Sequence, residues 1–423
     1  MKYSESKTIE LKEKYTKSML KTISAFSNYH DGTIYIGVND KGVAVGLPKI
    51  EEEKSVIENA INTSITPKPF YELNIIEIDN MRILEIVVFK GDNGPYYYQN
   101  VAYMRNDTST VPVEGSNMTR LLLISKNLSY DQLKVKKADL SFKLLESKLY
   151  SILNVKEVNQ GILTTLGLYN DNSFNNGALL IADNGGLSQS FVDIARFKLD
   201  SNTFLDRKRF ENQSILRYLD SVIGYFEIQY PAYQSIEGVL RTTKEQIPLT
   251  AVREDVTNAI VHRDYLLSSG VQIAMFDNRI EIVSPGGLPA EMDEEQYYKG
   301  LTSVSRNPNI ANVFFRLKLS ERFGTGIKRI IESYNHYRIR TTFEIKESQI
   351  RVVLPVTNFD YKKLDKKTAI VAYLQAYPKS SRQNIEDAVQ IDKSTLIRRL
   401  NELEEIGVVQ KIGNGPNTLY SYK

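Results

Sequence analysis

Two periodicities meet between Arg253 and Val283, and they restrict what this chain can fold into more than any other feature. Along Arg253–Tyr265, read as a helix, Glu254 and Asn258 stand four residues apart on one face, one turn above the other. Gly270–Phe276 and Arg279–Val283 then alternate apolar and polar residues around Asp277-Asn278, which predicts two strands joined by a hairpin turn. A carboxylate and an amide stacked on one helix face can orient a water and hold a hard cation, as a nucleotide site using Mg²⁺ requires. Ser284-Pro285-Gly286-Gly287 and Gly324-Thr325-Gly326 follow, where the backbone can approach a ligand because no Cβ intervenes. Together these pieces predict an ATP site.

A length of 423 residues predicts two to four units at roughly 150 residues each. The net charge of only +3 means that a nucleic-acid surface must be a local patch. The absence of cysteine excludes disulfides, thiolate zinc and cysteine nucleophiles, and fits a reducing compartment. With His30, His262 and His336 as the only histidines, any metal is expected on oxygen ligands: Mg²⁺, Mn²⁺ or Ca²⁺. Met1-Lys2-Tyr3-Ser4-Glu5 lacks the apolar core of a signal peptide, and no run of about 18 apolar residues occurs. A cytoplasmic protein without membrane association is expected.

Pattern divides the chain into four regions and predicts a multidomain α+β protein. Residues 1–125 read as a helix over Lys14–Tyr29, a strand over Thr33–Val38, a turn at Asn39–Gly42, a helix over 51–63, and strands near 71–78, 82–89 and 101–105. Residues 126–244 read as a connecting segment, with an amphipathic helix over Asp139–Leu145, a buried strand over Ala178–Ala182 and a long helix around 208–224. Residues 245–358 carry the site motifs and a second hairpin, Phe343–Lys346 with Gln349–Pro355. Residues 362–423 read as helices over 366–376, 382–389 and 393–406, capped by Ser380 or Ser381 and by Asp392, then a hairpin of Val408–Ile412 with Thr418–Tyr422. Three helices and a β-ribbon predict a winged helix-turn-helix.

On residues alone, Glu254 is the candidate base and Asn258 the candidate Mg²⁺ ligand, with glycine backbones and a helix starting near Thr325 facing phosphate. The same spacing also suits a solvated face, and His262, Arg263 and Asp264 also suit a helix C-terminal cluster. The ordered string Glu254…Asn258-Ala259…His262-Arg263-Asp264-Tyr265, Arg279–Pro289, Ser305-Arg306-Asn307-Pro308 and Gly324-Thr325-Gly326 resembles the GHKL-type ATPase domain of bacterial RecG-like, helicase-related proteins. That resemblance implies a Bergerat α/β sandwich over 245–358 and a lid over 300–323. It gives Glu254 and Asn258 the base and metal roles and sets Gly286 and Gly287 beside them. His262, Asp264, Ser284, Arg306, Asn307, Gly324, Thr325 and Gly326 complete the implied nucleotide contacts. The chain departs from the wider superfamily where an aspartate reads adenine: Ser284 stands there, and a hydroxyl accepts more weakly than a carboxylate. No Gly-x-x-x-x-Gly-Lys-Ser/Thr loop occurs, so nothing resembles a helicase motor.

Near the N-terminus, Glu5, Glu10, Lys12 and Asp40 suit either a solvated charged face or a divalent-metal nuclease site. Glu5-x-x-x-x-Glu10-x-Lys12 and Ser24-Ala25-Phe26-Ser27-Asn28-x-x-Asp31-Gly32-Thr33–Asp40-x-Gly42-x-x-x-Gly46 resemble the Schlafen-type, AlbA-like DNA-binding domain. The resemblance implies an acidic triad of Glu5, Glu10 and Asp40 able to hold Mg²⁺ or Mn²⁺, with Lys12 toward nucleic acid. Tyr96, Tyr97 and Tyr98 suit base stacking or, more simply, core packing. In the tail, Lys393, Ser394, Thr395, Arg398 and Arg399 lie where a winged helix meets the major groove, though the same fold also serves dimerisation. The combined expectation is an ATP-binding, DNA-binding regulator. Its partners are DNA or structured RNA, ATP and a second copy of the chain. The alternative is an ATP-gated ribonuclease acting on tRNA in anti-phage defence.

Overall fold

The computed structural model describes residues 3–136, 139–187, 190–199, 203–237, 240–289, 292–300, 304–321, 324–337 and 339–423. They form two compact units, Met1–Ser129 and Tyr130–Lys423, each mixed α and β.

In the first unit the alternation of Gly32–Ile36 is reproduced as inward and outward faces, with Ile34 and Ile36 fully buried. This strand lies between Ile9–Lys12, parallel to it, and Met81–Phe89, antiparallel; Phe70–Ile78 closes the four-stranded sheet. The Ile9–Lys12 strand replaces the solvated charged face expected there, because Leu11 enters the core between two acidic and basic neighbours. The helix Met19–Tyr29 is shorter than the expected 14–29 and buries Met19, Leu20, Ile23 and Phe26, an i, i+4, i+7 stripe. Asn28 locks it in place: its amide donates to the Tyr96 carbonyl (2.9 Å), and the Tyr96 N–H donates back to Asn28 Oδ1 (2.7 Å). Tyr96 and Tyr98 therefore belong to the core, not to a stacking surface.

The second unit is built on a six-stranded sheet in the order Phe204–Glu211, Phe191–Phe197, Val271–Met275, Arg279–Pro285, Gln349–Pro355, Thr342–Lys346. Phe191–Phe197 and Val271–Met275 run parallel, and the other pairs are antiparallel. Both predicted hairpins are present. The helices Ile215–Gln229 and Leu249–His262 pack on each other, and the second lies over Arg279–Pro285. Val252, Val256, Ala259 and Ile260 face this core. Each such fully buried aliphatic side chain contributes about 1.5–3 kcal/mol.

Two expectations in the connecting segment are corrected. Ala178–Ala182 is not a strand: Asn176–Ile181 is a helix whose cap, Asn175, accepts from the Ala178 N–H (3.0 Å). The long helix around 208–224 is instead the exposed edge strand Phe204–Glu211 followed by Ile215–Gln229, capped by Ser214. The C-terminal elements follow the sequence closely: Lys366–Ala376, Arg382–Val389 and Lys393–Glu405, then Val409–Ile412 paired with Leu419–Tyr422. Ser381 and Asp392 cap the second and third of these helices.

At the start of this unit, Asp131 is fully buried and its Oδ2 accepts from the Asn309 and Ile310 N–H groups (2.8 and 3.0 Å), the open end of the helix Pro308–Arg316. Asp131→Ala is expected to destabilise the second unit by about 2 kcal/mol, read as a lower thermal midpoint. An unchanged midpoint would remove this residue from the account of the fold. Among the described residues no helix is long and apolar enough to cross a membrane.

Candidate nucleotide-binding site

The helix Leu249–His262 brings Glu254 and Asn258 to one wall of an open pocket enclosing about 960 Å³. Asp255, Ala259 and His262 border the same pocket. The floor comes from the sheet, through the cross-strand partners Ile282 with Val352 and Ser284 with Ile350. Gly286 and Gly287 form the turn beyond that strand, and Gly324 and Gly326 also line the pocket.

Gly326 shows why glycine is required there. A Cβ on it would lie 2.3 Å from Glu254 Oε1 and 3.1 Å from Asn258 Nδ2, so the start of the helix Gly326–Glu332 rests directly on both side chains. At Gly286, φ is +95° and a Cβ would meet Arg306 Nη1 at 2.2 Å. Arg306 in turn ties the turn to the helix end: its Nη2 donates to the Gly287 carbonyl (2.9 Å).

Glu254 is buried, and Arg329 Nη1 stands 3.4 Å from its Oε2. Burial pushes its carboxyl above the ordinary value; Arg329 pulls it back and Glu321 adds to the rise. Arg329 also pairs with Glu321 (2.5 Å), whose partner Thr325 Oγ1 donates to it (2.8 Å). Sequence reading missed Arg329 because it lies beyond the glycine motif. Its signal was its position three residues after Gly326, on the first turns of the following helix.

The remaining predicted contacts divide. Ser284, His262, Arg306, Gly286, Gly287 and Gly324 border the pocket. Ser284 Oγ donates to the Ala259 carbonyl (3.1 Å), so what it can offer a ligand is acceptance only. His262 borders the pocket and remains exposed, while crowding by neighbouring groups and then the Arg306 charge lower its pKa. Asn307 is fully buried behind the site, its amide donating to the Val261 and Arg263 carbonyls (2.9 and 3.0 Å). It holds the helix end and does not border the pocket. Asp264 is likewise buried, with Oδ1 accepting from the Leu266 N–H (3.0 Å). Thr325 reaches the site only through Glu321 and Arg329. Of the predicted lid, 301–303 and 322–323 lie outside the described residues.

Of the N-terminal acids, Glu5 and Glu10 converge on one ammonium: Lys12 Nζ stands 3.7 Å from Glu5 Oε1 and 2.7 Å from Glu10 Oε1. Glu10 is buried against Arg105, and Lys12 Nζ sits 2.7 Å from its other oxygen. Glu5 Oε1 accepts from the Leu11 N–H (3.1 Å), while Asp40 is exposed in the turn after Gly32–Ile36. Among the described residues no three acidic or histidine side chains stand where a metal could be held. The cations that pair with Glu10 in this structure are Arg105 and Lys12. In the tail, Lys393 and Arg398 are exposed on their helix, whereas Ser394 Oγ donates to Asp392 (2.6 Å) and Arg399 pairs with Glu402 (2.8 Å).

Two family models match the chain. Residues 5–114 match the model described as Schlafen, AlbA_2. Residues 268–354 match the model described as putative ATP-dependent DNA helicase recG C-terminal. The second match takes in both hairpins and the glycine turns but begins after the helix bearing Glu254 and Asn258. Among solved structures, the DIP2311 protein from Corynebacterium diphtheriae is similar at 17% identity and a TM-score of 0.48, covering 99% of this chain and 92% of that one. The N-terminal domain of a putative ATP-dependent DNA helicase RecG-related protein from Nitrosomonas europaea is similar at 24% identity and a TM-score of 0.20, covering 23% of this chain and 73% of that one. A search of the curated proteins found no match. By the two family matches, residues 5–114 are similar to the Schlafen, AlbA_2 model and residues 268–354 to the recG C-terminal model.

Proposed function

We propose that the pocket beside Leu249–His262 binds ATP with Mg²⁺ and that occupancy controls nucleic-acid binding by a DNA-binding regulator. The observation that carries this reading is the seating of Gly326 against Glu254 and Asn258 at the wall of an open pocket. Without a Cβ the start of the helix Gly326–Glu332 comes directly against a carboxylate and an amide, which keeps both at the pocket wall beside backbone N–H groups. Both family descriptions, one Schlafen and one of a helicase C-terminal region, agree with an ATP-binding, nucleic-acid-associated protein.

The donor set fits the cation. Mg²⁺ carried on a triphosphate needs one or two protein oxygens, the rest coming from phosphate and water. The Asn258 side-chain oxygen supplies one, and the metal lowers the charge on the phosphates when bound. Glu254 accepts the proton of the attacking water, and its raised pKa suits a base. Arg329 keeps that carboxyl oriented. We read residues 245–358 as a GHKL-type sandwich with a lid over 300–323, and 362–423 as a winged helix whose exposed Lys393 and Arg398 meet phosphate. A ribonuclease is the less favoured reading, since Glu10 is occupied by Arg105 and Lys12.

Fluorescence anisotropy of labelled duplex DNA with the full chain, with and without ATP and Mg²⁺, tests this function. Nucleotide is expected to change DNA affinity about fivefold or more, the size of an ordinary coupling between sites. Identical affinities in both conditions would refute control by ATP.

A further inference from the structure

Glu254 and Asp255 are consecutive on one helix, so their side chains diverge by roughly 100°. Glu254 turns toward Gly326 and Arg329, at the end of the pocket assigned to phosphate. Asp255 borders the same pocket, whose lining also includes Ile282, Val352 and Tyr297. It is 4% exposed, and its Oδ2 has no hydrogen-bond partner among the described residues. A sealed carboxyl oxygen without a partner costs about 1–3 kcal/mol. Such a group is retained at a pocket wall when a ligand completes its bonding.

Resting on the reading of this pocket as a nucleotide site, we propose that Asp255 reads the adenine base and supplies the recognition that Ser284 lacks. The apolar floor gives the purine ring a surface, and Asp255 faces its polar edge. Burial, then the neighbouring Glu254 charge, drives the Asp255 carboxyl well above its ordinary range, which favours the protonated acid. A protonated acid both donates and accepts: its carbonyl takes the adenine amino N–H while its O–H reaches a ring nitrogen. Ser284, whose proton is engaged by the Ala259 carbonyl, has no donor left for the ring. Glu254 packs against Gly326, and Arg253, the other charged neighbour, is exposed and does not line the pocket, which leaves Asp255 the base end.

The test compares wild type, Asp255→Asn and Asp255→Leu as full chains, titrated with ATP, GTP and inorganic tripolyphosphate in the presence of Mg²⁺. Wild type is expected to prefer ATP over GTP. Asp255→Asn, which keeps one donor and one acceptor, retains ATP affinity within about threefold. Asp255→Leu loses about 10- to 100-fold for ATP with tripolyphosphate binding unchanged. Its thermal midpoint stays at or above that of wild type, because an unpartnered polar group has been removed. Equal ATP affinity in Asp255→Leu and wild type would overturn the proposal, and so would an Asp255→Asn loss as large as that of Asp255→Leu. If Asp255→Leu does not fold, wild type is titrated with N6,N6-dimethyl-ATP, where a tenfold loss is expected and none would overturn the assignment. A wild type that binds neither ATP nor tripolyphosphate fails the nucleotide reading itself, a result separate from any of these.

Discussion

Glu254→Ala is expected to bind ATP within a few-fold of wild type and to hydrolyse it about 10²- to 10⁴-fold more slowly, the usual contribution of a positioned base. Binding survives because the floor strands, the glycine turns and Asn258 are untouched by the change. Turnover falls because, among the described residues, no other carboxylate shares the place of Glu254: Glu321 is exposed and held by Arg329 and Thr325, and Asp255 lies on the next face of the helix. The pH profile follows from the same residue. A base works ionised, and burial raises the Glu254 pKa, so wild-type turnover is expected to fall as pH drops through a value above the ordinary carboxylate range. Steady-state phosphate release measures both effects. Normal turnover in Glu254→Ala, or a flat profile through the acid range, would remove Glu254 from the chemistry.

Arg105→Ala is expected to destabilise the first unit by about 3 kcal/mol. The guanidinium is buried, pairs with the carboxylate of buried Glu10 and donates to the Ser6 carbonyl (2.9 Å). Deleting one partner of a buried pair leaves the other charge uncompensated, which costs about 3–5 kcal/mol; the remaining Lys12 contact (2.7 Å) softens the loss. Double replacement with Glu10→Gln is expected to recover part of the stability, since the orphaned charge is then gone. Hydrogen exchange of the Gly32–Ile36 and Met81–Phe89 amides in the full chain reads this out. Unchanged protection in Arg105→Ala would mean that the pair contributes nothing to this unit. The same pair shows a role of Glu10 that local spacing does not reveal, because its partner Arg105 lies 95 residues later.

Legibility in the sequence followed how local the determining signal was. The 249–262 helix was readable because Glu254 and Asn258 share a face whatever else surrounds them. Both hairpins of the six-stranded sheet were readable from period-two alternation. Caps marked the tail, where Ser381 and Asp392 each accept from the N–H three residues on. Asn176–Ile181 was misread because six mostly apolar residues suit a buried strand and a buried helix equally; the cap Asn175 was the overlooked cue. Phe204–Glu211 was misread because an exposed edge strand rich in charge carries no apolar alternation. Within the site, Ser284, Gly286 and Gly326 were legible from composition. Asn307 was not, since its buried amide serves carbonyls 44 and 46 residues earlier. Asp255 escaped notice because attention to one helical face hides a neighbour that borders the same pocket from the next.

Isothermal titration of the full chain with ATP, with Mg²⁺ and with EDTA, in wild type and Asn258→Ala, bears most directly on whether this pocket holds a metal-bound triphosphate. Saturable uptake by wild type, weakened at least tenfold both by removing Mg²⁺ and by Asn258→Ala, is the expected result. No heat of binding at millimolar ATP, or binding indifferent to Mg²⁺ and to Asn258, would contradict it.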